Sequence, residues 1–321
     1  MIRLLFVFGC ILFSVASVAQ KVTFDDYKKR ADACFKKQDF QCAKENYERA
    51  LRIRNEEPYC KAQLQKAIKA LAQKNNASVT PNPTSFPRKN TSSAPEKHVN
   101  RAELPDFVLV KGGTFSMGDD KGAIDERPVH SVTLTDFFVA KHEVTVAQYR
   151  TFVKATSKVM PAPPNWGWQD DHPIVGVSWD DAVAYCEWLS GQVKKKVRLL
   201  TEAEWEYAAC GGAAKNAVVN EEMGWYAGNT DGAGTKPVNT KKANKLGLFD
   251  MGGNAAEWCA DWYDKNYYAN SPATVPAGPL QGIGRVVRGR SFGDEPKPLT
   301  FRYGLAPTSK KNTVGFRVCY E

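Results

Sequence analysis

Apolar positions recur along this chain in three rhythms, and each predicts a different kind of structure. Leu4 to Val15 is an apolar run behind a single charge, Arg3, and it leads into Val15-Ala16-Ser17-Val18-Ala19-Gln20. The run is short for a membrane span, and the small residues Ser17 and Ala19 suit a peptidase site. Residues 1–19 therefore read as a secretory signal. Val7-Phe8-Gly9-Cys10 offers a second route, a lipobox that would anchor the chain through Cys10. Either way the mature chain is expected to be exported to the periplasm or outer cell envelope. No later run is long and apolar enough to cross a bilayer.

Residues 20–73 change to helical spacing. Tyr27, Ala31, Cys34 and Phe35 recur at three- and four-residue intervals, as do Phe40, Ala43, Tyr47, Ala50 and Leu51. Asp39 is a candidate N-cap for the second set, and Pro58 opens a third with Leu64, Ala67, Ile68 and Leu71. This order resembles one tetratricopeptide repeat plus the first helix of another. That is fewer than the three repeats usually needed for stability. A disulfide among Cys34, Cys42 and Cys60, the rest of the chain, or a partner is expected to brace it. The segment reads either as a docking element for envelope or surface proteins or as a helical spacer. Residues 74–104 carry Pro81, Pro83, Pro87 and Pro95 among Asn, Ser and Thr, and are expected to form a flexible linker.

From residue 105 the pattern becomes mixed. Phe107–Val110, Thr114–Gly118, Val129–Leu134 and Phe137–Ala140 read as strands, the first two joined by Gly112-Gly113. Thr145 caps a helix bearing Tyr149, Phe152 and Val153. Ser178 caps another bearing Ala182, Cys186 and Leu189, and Thr201 with Glu204 forms a capping box. The remainder is loop-rich, with late strands at 285–289 and 315–319. The class is α+β with little regular structure.

Within the loops one stretch stands out, Gly247-Leu248-Phe249-Asp250-Met251-Gly252-Gly253-Asn254-Ala255-Ala256-Glu257-Trp258 and on to Trp262. Its glycines and Asn254 suit a sharp bend with positive φ. Trp258 and Trp262, four apart, are expected to share one face of a short helix. Asp250 and Glu257 flank the bend, which reads either as an oxygen-lined cation site or as a packed turn.

Charge alters the picture less than its total suggests. The net +9 divides into +8 over residues 20–104 (18 Lys+Arg against 10 Asp+Glu) and zero over 105–321 (25 against 25). A neutral large domain on an exported chain runs against nucleic acid; a solvated helical surface or attraction to anionic envelope components fits better. Cys34, Cys42, Cys60, Cys186, Cys210, Cys259 and Cys319 form no CxxC pair, and their odd number leaves at least one thiol free or intermolecular. His98, His130, His142 and His172 have no metal-ligand spacing. Asp170-Asp171 and Asp180-Asp181 read as caps and solvated acids.

Residues 105–321 resemble the formylglycine-generating-enzyme (sulfatase-modifying factor) family. The matching blocks are Gly112–Gly118, Glu126–His130, Glu143–Tyr149, Pro173–Trp179, Arg198–Ala208, Gly247–Met251, Gly253–Trp258, Arg288–Phe292 and Gly315–Arg317, in family order. The resemblance implies a C-type-lectin-like fold. Family enzymes bind copper through two cysteines after the Gly-Gly-Ser block and oxidise a substrate cysteine. Here Asp294 and Leu299 fall at those positions, and Arg290 replaces the second glycine. Neither Asp294 nor Leu299 supplies a thiolate, so this oxidase chemistry, with its copper, is not expected. A sulfoxide-forming branch uses iron held by a His-x3-His-x-Glu cluster, which this chain lacks. The family also implies a structural calcium held by Asp250, Gly253, Ala255 and Glu257, through side-chain oxygens of the acids and backbone oxygens of the other two. Cys186 matches a family half-cystine, while Cys210 and Cys319 lie one residue off; Cys186–Cys319 is the implied pairing.

The expected function is that of an exported, non-catalytic member acting in protein interaction at the cell envelope, through residues 20–73. Two alternatives stand beside it: a divergent metal-dependent oxidoreductase with a site near Arg290, Asp294 and Arg302, and a lectin-like ligand binder.

Overall fold

The computed structural model describes residues 23–53, 57–77, 104–212 and 220–321. The signal at 1–19, Cys10 and nearly all of the 74–104 linker lie outside the described residues. The chain divides into two compact units, Met1–Ser92 and Ser93–Glu321, a division that falls inside the stretch read as a linker.

The first unit is three helices, α1 (Phe24–Lys36), α2 (Phe40–Ile53) and α3 (Pro58–Ala77), with α2 packed against both others. Thr23 caps α1 in a capping box with Asp26, and Asp39 Oδ1 accepts from Cys42 N at 3.1 Å, capping α2 as its position predicts. The periodic residues Tyr27, Ala31, Ala43, Tyr47 and Ala50 are buried. Small alanines let the helices approach, and Cys34–Cys42 is a disulfide across the α1–α2 turn.

The second unit is built on short strands. β1 (Phe107–Val110), β4 (Phe137–Ala140), β10 (Val318–Tyr320) and β5 (Arg198–Leu199) form one antiparallel sheet in that order. β2 (Gly113–Met117) and β3 (His130–Leu134) pair as a ribbon. A third sheet runs β8 (Arg302–Leu305), β7 (Arg285–Arg288), β6 (Ala256–Trp262), β9 (Val314–Gly315), with β6 and β9 parallel. Three helices, α4 (Val146–Thr156), α5 (Trp179–Val193) and α6 (Glu202–Ala209), start at the caps read from Thr145, Ser178 and Thr201, and all three caps are reciprocal boxes, the first two closed by Gln148 and Asp181. Asp181 is the reciprocal partner in the Ser178 box, and Asp170 pairs with Arg150.

Two expectations need correction. Residues 256–262 form β6, not a helix turn. Pairing with β7 and β9 outweighs the helical spacing, and a register shift between Trp258 and Trp262 marks a bulge. Trp258 is buried with its indole N–H on Val177 O, whereas half-buried Trp262 lies on the Arg285 guanidinium. The Cys186–Cys319 disulfide is also absent, both thiols being free and buried. Cys319 pairs opposite Val139 and faces the core of Val110, Phe137 and Trp205, while Cys186 lies in the core of Tyr149, Phe152 and Phe316. Strand side chains alternate in direction, so a cysteine displaced by one residue faces away from its family partner.

Candidate functional site

The bend before β6 is a hub for the surrounding loops. Asp250, Asn254 and Gly253 have φ of 53°, 53° and 85°. Gly253 is required here, because a Cβ would stand 2.4 Å from Trp225 O. Gly253 N donates to Gly289 O at 2.8 Å, and Asn254 N to Trp225 O at 2.7 Å. The Asn254 amide bonds both the N–H and the carbonyl of Lys236. Three separate loops, those of Trp225, Lys236 and Gly289, are thereby fixed to one turn.

Beneath the turn lies a buried charged cluster. Glu257 receives two bonds from Arg317 Nε at 2.8 Å, one from its Nη2 at 2.6 Å and one from the Trp205 indole at 2.8 Å. Arg317 also donates to the carbonyls of Phe249 and Asp250. Asp250 Oδ2 accepts from Asn239 N at 2.9 Å, but its buried Oδ1 has no partner. Glu143, 0% exposed, accepts weakly from Ala255 N at 3.4 Å and leaves Oε2 without a partner. Burial pushes the Asp250 carboxyl up to about 6, against the hydrogen bond from Asn239 and the charge of Arg317. Burial, and then the Asp250 charge, raise Glu143 well above the ordinary carboxylate range. Three carboxylates thus share one guanidinium.

This geometry tests the implied calcium set. A hard cation takes oxygen donors, and two buried carboxylate oxygens here have none of their own hydrogen bonds. Asp250 suits the role. Glu257 holds no spare capacity, since Arg317 and Trp205 use both of its oxygens. Glu143, unremarked as a ligand in the sequence, has a free oxygen beside Asp250. Among the described residues no three His, Cys, Asp or Glu side chains converge at metal spacing. Of the side chains at the turn, only Asp250 and Glu143 keep a buried oxygen without a hydrogen-bond partner.

The positions matched to the family's cysteines lie on the next loop. Asp294 Oδ2 accepts from Ser291 N at 2.9 Å and Ser291 Oγ at 2.7 Å, while Oδ1 pairs with Arg290 at 3.1 Å. Arg290, with φ of 64°, lies over the Phe301 ring. Leu299 is buried, and its carbonyl accepts from Arg288 at 2.6 Å. Arg302 is no groove residue: it is buried and bidentate on Glu202, which also binds Arg288. Arg288 further binds Glu206 at 2.6 Å. This second network, with Asp261 accepting from Glu202 N, went unread in the sequence except as a capping box. Its signal was three glutamates at alternate positions in a helix whose every residue is buried. Near the turn, a small cavity of ≈ 20 Å³ is lined by Tyr226, Asp250, Met251 and Leu299, enough for a water-sized guest.

Comparison with known proteins accords with this geometry. The sulfatase-modifying factor enzyme 1-like domain family matches residues 91–321. The formylglycine-generating enzyme of Streptomyces coelicolor is 32% identical over 312 residues, covering 75% of this chain and 95% of the enzyme. A Chlamydia pneumoniae protein named serine/threonine-protein kinase pkn1 is 36% identical over 243 residues, covering 67% of this chain but only 38% of the kinase. Among solved structures, PvdO from Pseudomonas aeruginosa matches with a TM-score of 0.63 and 29% identity over 68% of this chain and 95% of that one. Treponema denticola variable protein 1 matches with a TM-score of 0.59 at 25% identity, over 67% of this chain and 94% of that one.

Proposed function

The chain belongs to the sulfatase-modifying factor enzyme 1-like domain family, and on that premise we propose that it is an exported member without formylglycine-generating activity, serving in protein interaction at the cell envelope. The observation that carries this reading is the fate of the two catalytic positions. Asp294 is spent on capping Ser291 and pairing with Arg290, and Leu299 has no ligand atom. Relatives named as kinases, of which this chain matches well under half the length, support the use of such a domain as a module beside other chemistry. The N-terminal helices supply the docking element. The test is crosslinking of the full chain in its native cells followed by mass spectrometry. Envelope proteins are expected, and they should be lost when residues 20–73 are removed. Retained copper with oxygen consumption on a thiol peptide would refute the reading; glycan binding that survives the truncation would favour a lectin-like role.

A second reading concerns the turn: it binds calcium structurally, through Asp250, Glu143 and the carbonyls of Gly253 and Ala255. Two unpartnered buried oxygens support it. Calcium is expected to raise the melting temperature of the native protein, and Glu143→Gln should abolish that response. An unchanged melting temperature on adding calcium or a chelator would sink the site.

A further inference from the structure

We propose that the cavity beside the turn binds a primary ammonium group, the tip of a lysine side chain presented by a partner. Tyr226, Asp250, Met251, Gly252, Leu299 and Lys242 border it. Two of them bring buried polar atoms without hydrogen-bond partners, the Tyr226 hydroxyl and Asp250 Oδ1, on residues each 1% exposed. A cavity with such walls takes a polar guest, whereas cavities that stay dry are apolar. The inference is separate from the N-terminal docking element, because it names a group that the large domain itself recognises.

Both groups are held in place. Asp250 has its second oxygen on Asn239 N at 2.9 Å and a backbone φ of 53°. Tyr226 N donates to Asn229 Oδ1 at 2.8 Å, and its carbonyl accepts from Thr230 Oγ1 at 2.8 Å. The Tyr226 ring packs closely on Gly224, where a Cβ would stand 2.9 Å from Tyr226 Cε2 and 1.8 Å from Gly252 O. Carboxylate and phenol therefore border the cavity from anchored backbone, as a preorganised site requires.

Charge and size select the guest. Glu143, Asp250 and Glu257 share the guanidinium of Arg317, so a cation is favoured over a neutral molecule. Lys241, whose charge also reaches Asp250, is itself held by Glu221 O at 2.7 Å and over the Trp225 ring at 3.9 Å. A cavity of ≈ 20 Å³ admits an ammonium head, which is close to water in size, but not the planar fork of arginine. An ammonium has three N–H donors and no acceptor. Asp250 Oδ1 and the Tyr226 hydroxyl oxygen accept two of them, and Gly252 on the same wall offers a backbone carbonyl for the third. Met251 and Leu299 give apolar surface to the methylene stem. Exposed Lys242 marks the side where the cavity meets solvent, and its like charge there opposes entry.

The experiment is titration of the full chain with Nα-acetyl-lysine amide, in chelator because calcium at the turn would compete for Asp250, followed by saturation-transfer nuclear magnetic resonance. Binding is expected with a Kd on the order of one millimolar. Nα,Nε-diacetyl-lysine amide and Nα-acetyl-arginine amide should not bind. Tyr226→Phe, with near-ultraviolet circular dichroism unchanged, should weaken binding on the order of ten-fold. Lys242→Ala should tighten it roughly two- to five-fold. Absence of binding by the lysine amide, equal binding by either control compound, or indifference to Tyr226→Phe overturns the proposal. A calcium-dependent melting temperature without lysine-amide binding overturns it and leaves the calcium reading standing. Lysine-amide binding without any calcium response supports it and removes that reading.

Discussion

Asp261 is the clearest case of a single side chain governed by its surroundings. It is buried on β6, and burial followed by the Glu202 charge pushes its carboxyl up to about 8 from an ordinary 3.8. The folded chain therefore holds a proton that the unfolded chain has released between about pH 4 and pH 8. Stability from this group is full below about 4 and declines as pH rises through that window. Urea unfolding of Asp261→Asn is expected to show a flatter pH profile, by an amount on the order of a few kcal/mol between pH 5 and pH 8. A profile as steep as that of the native chain would refute this. Glu257 and Arg317 show the opposite situation, a matched buried pair in which each partner offsets the desolvation of the other. Glu257 thus acts in holding the turn together, whereas the oxygens left without hydrogen bonds belong to Asp250 and Glu143.

At the scale of elements, the helix caps at Thr145 and Ser178 and the capping box at Thr201 were legible because every atom they use lies within three residues. The positive-φ bend was legible for the same reason. Its glycine leads to a sharp expectation. Gly253→Ala would place a methyl 2.4 Å from Trp225 O at φ of 85°, costing about 2–4 kcal/mol. A melting temperature within a degree or so of the native protein would contradict the close approach. By contrast, β6 was not legible as a strand. Its residues carry no β-branched side chain, and the ladder that makes it a strand comes from β7 and β9, far along the chain. β5 and β9, at two residues each, are too short to leave any periodic trace.

The molecule as a whole is two compact units of different construction. The first relies on a few alanine-lined helix contacts and on Cys34–Cys42; the second has two cores and buried ion pairs. Reduction is therefore expected to act on the first alone. Dithiothreitol should lower the thermal stability of the helical unit, by about 2–3 kcal/mol for a short closed loop, and leave near-ultraviolet tryptophan signals unchanged. All tryptophans of the chain lie beyond residue 104, so the two reports separate cleanly. Loss of the tryptophan signal at the same reductant concentration would show that the large domain also depends on a disulfide.

The sequence by itself determined the local grammar of this protein: helix starts, the bend at Gly253, the order of the family blocks, and the absence of thiols at positions 294 and 299. These are properties of neighbouring residues and of residue identity. Only the tertiary structure decided which charges meet. Glu143 and Ala255 are 112 residues apart, and Glu257 and Arg317 are 60 apart. Nothing in local spacing pairs Arg317 with Glu257 or leaves Asp250 and Glu143 each with an unpartnered oxygen. That outcome depends on which groups remain once a dry core has closed around them. There desolvation penalises each carboxylate, and a single guanidinium cannot compensate three.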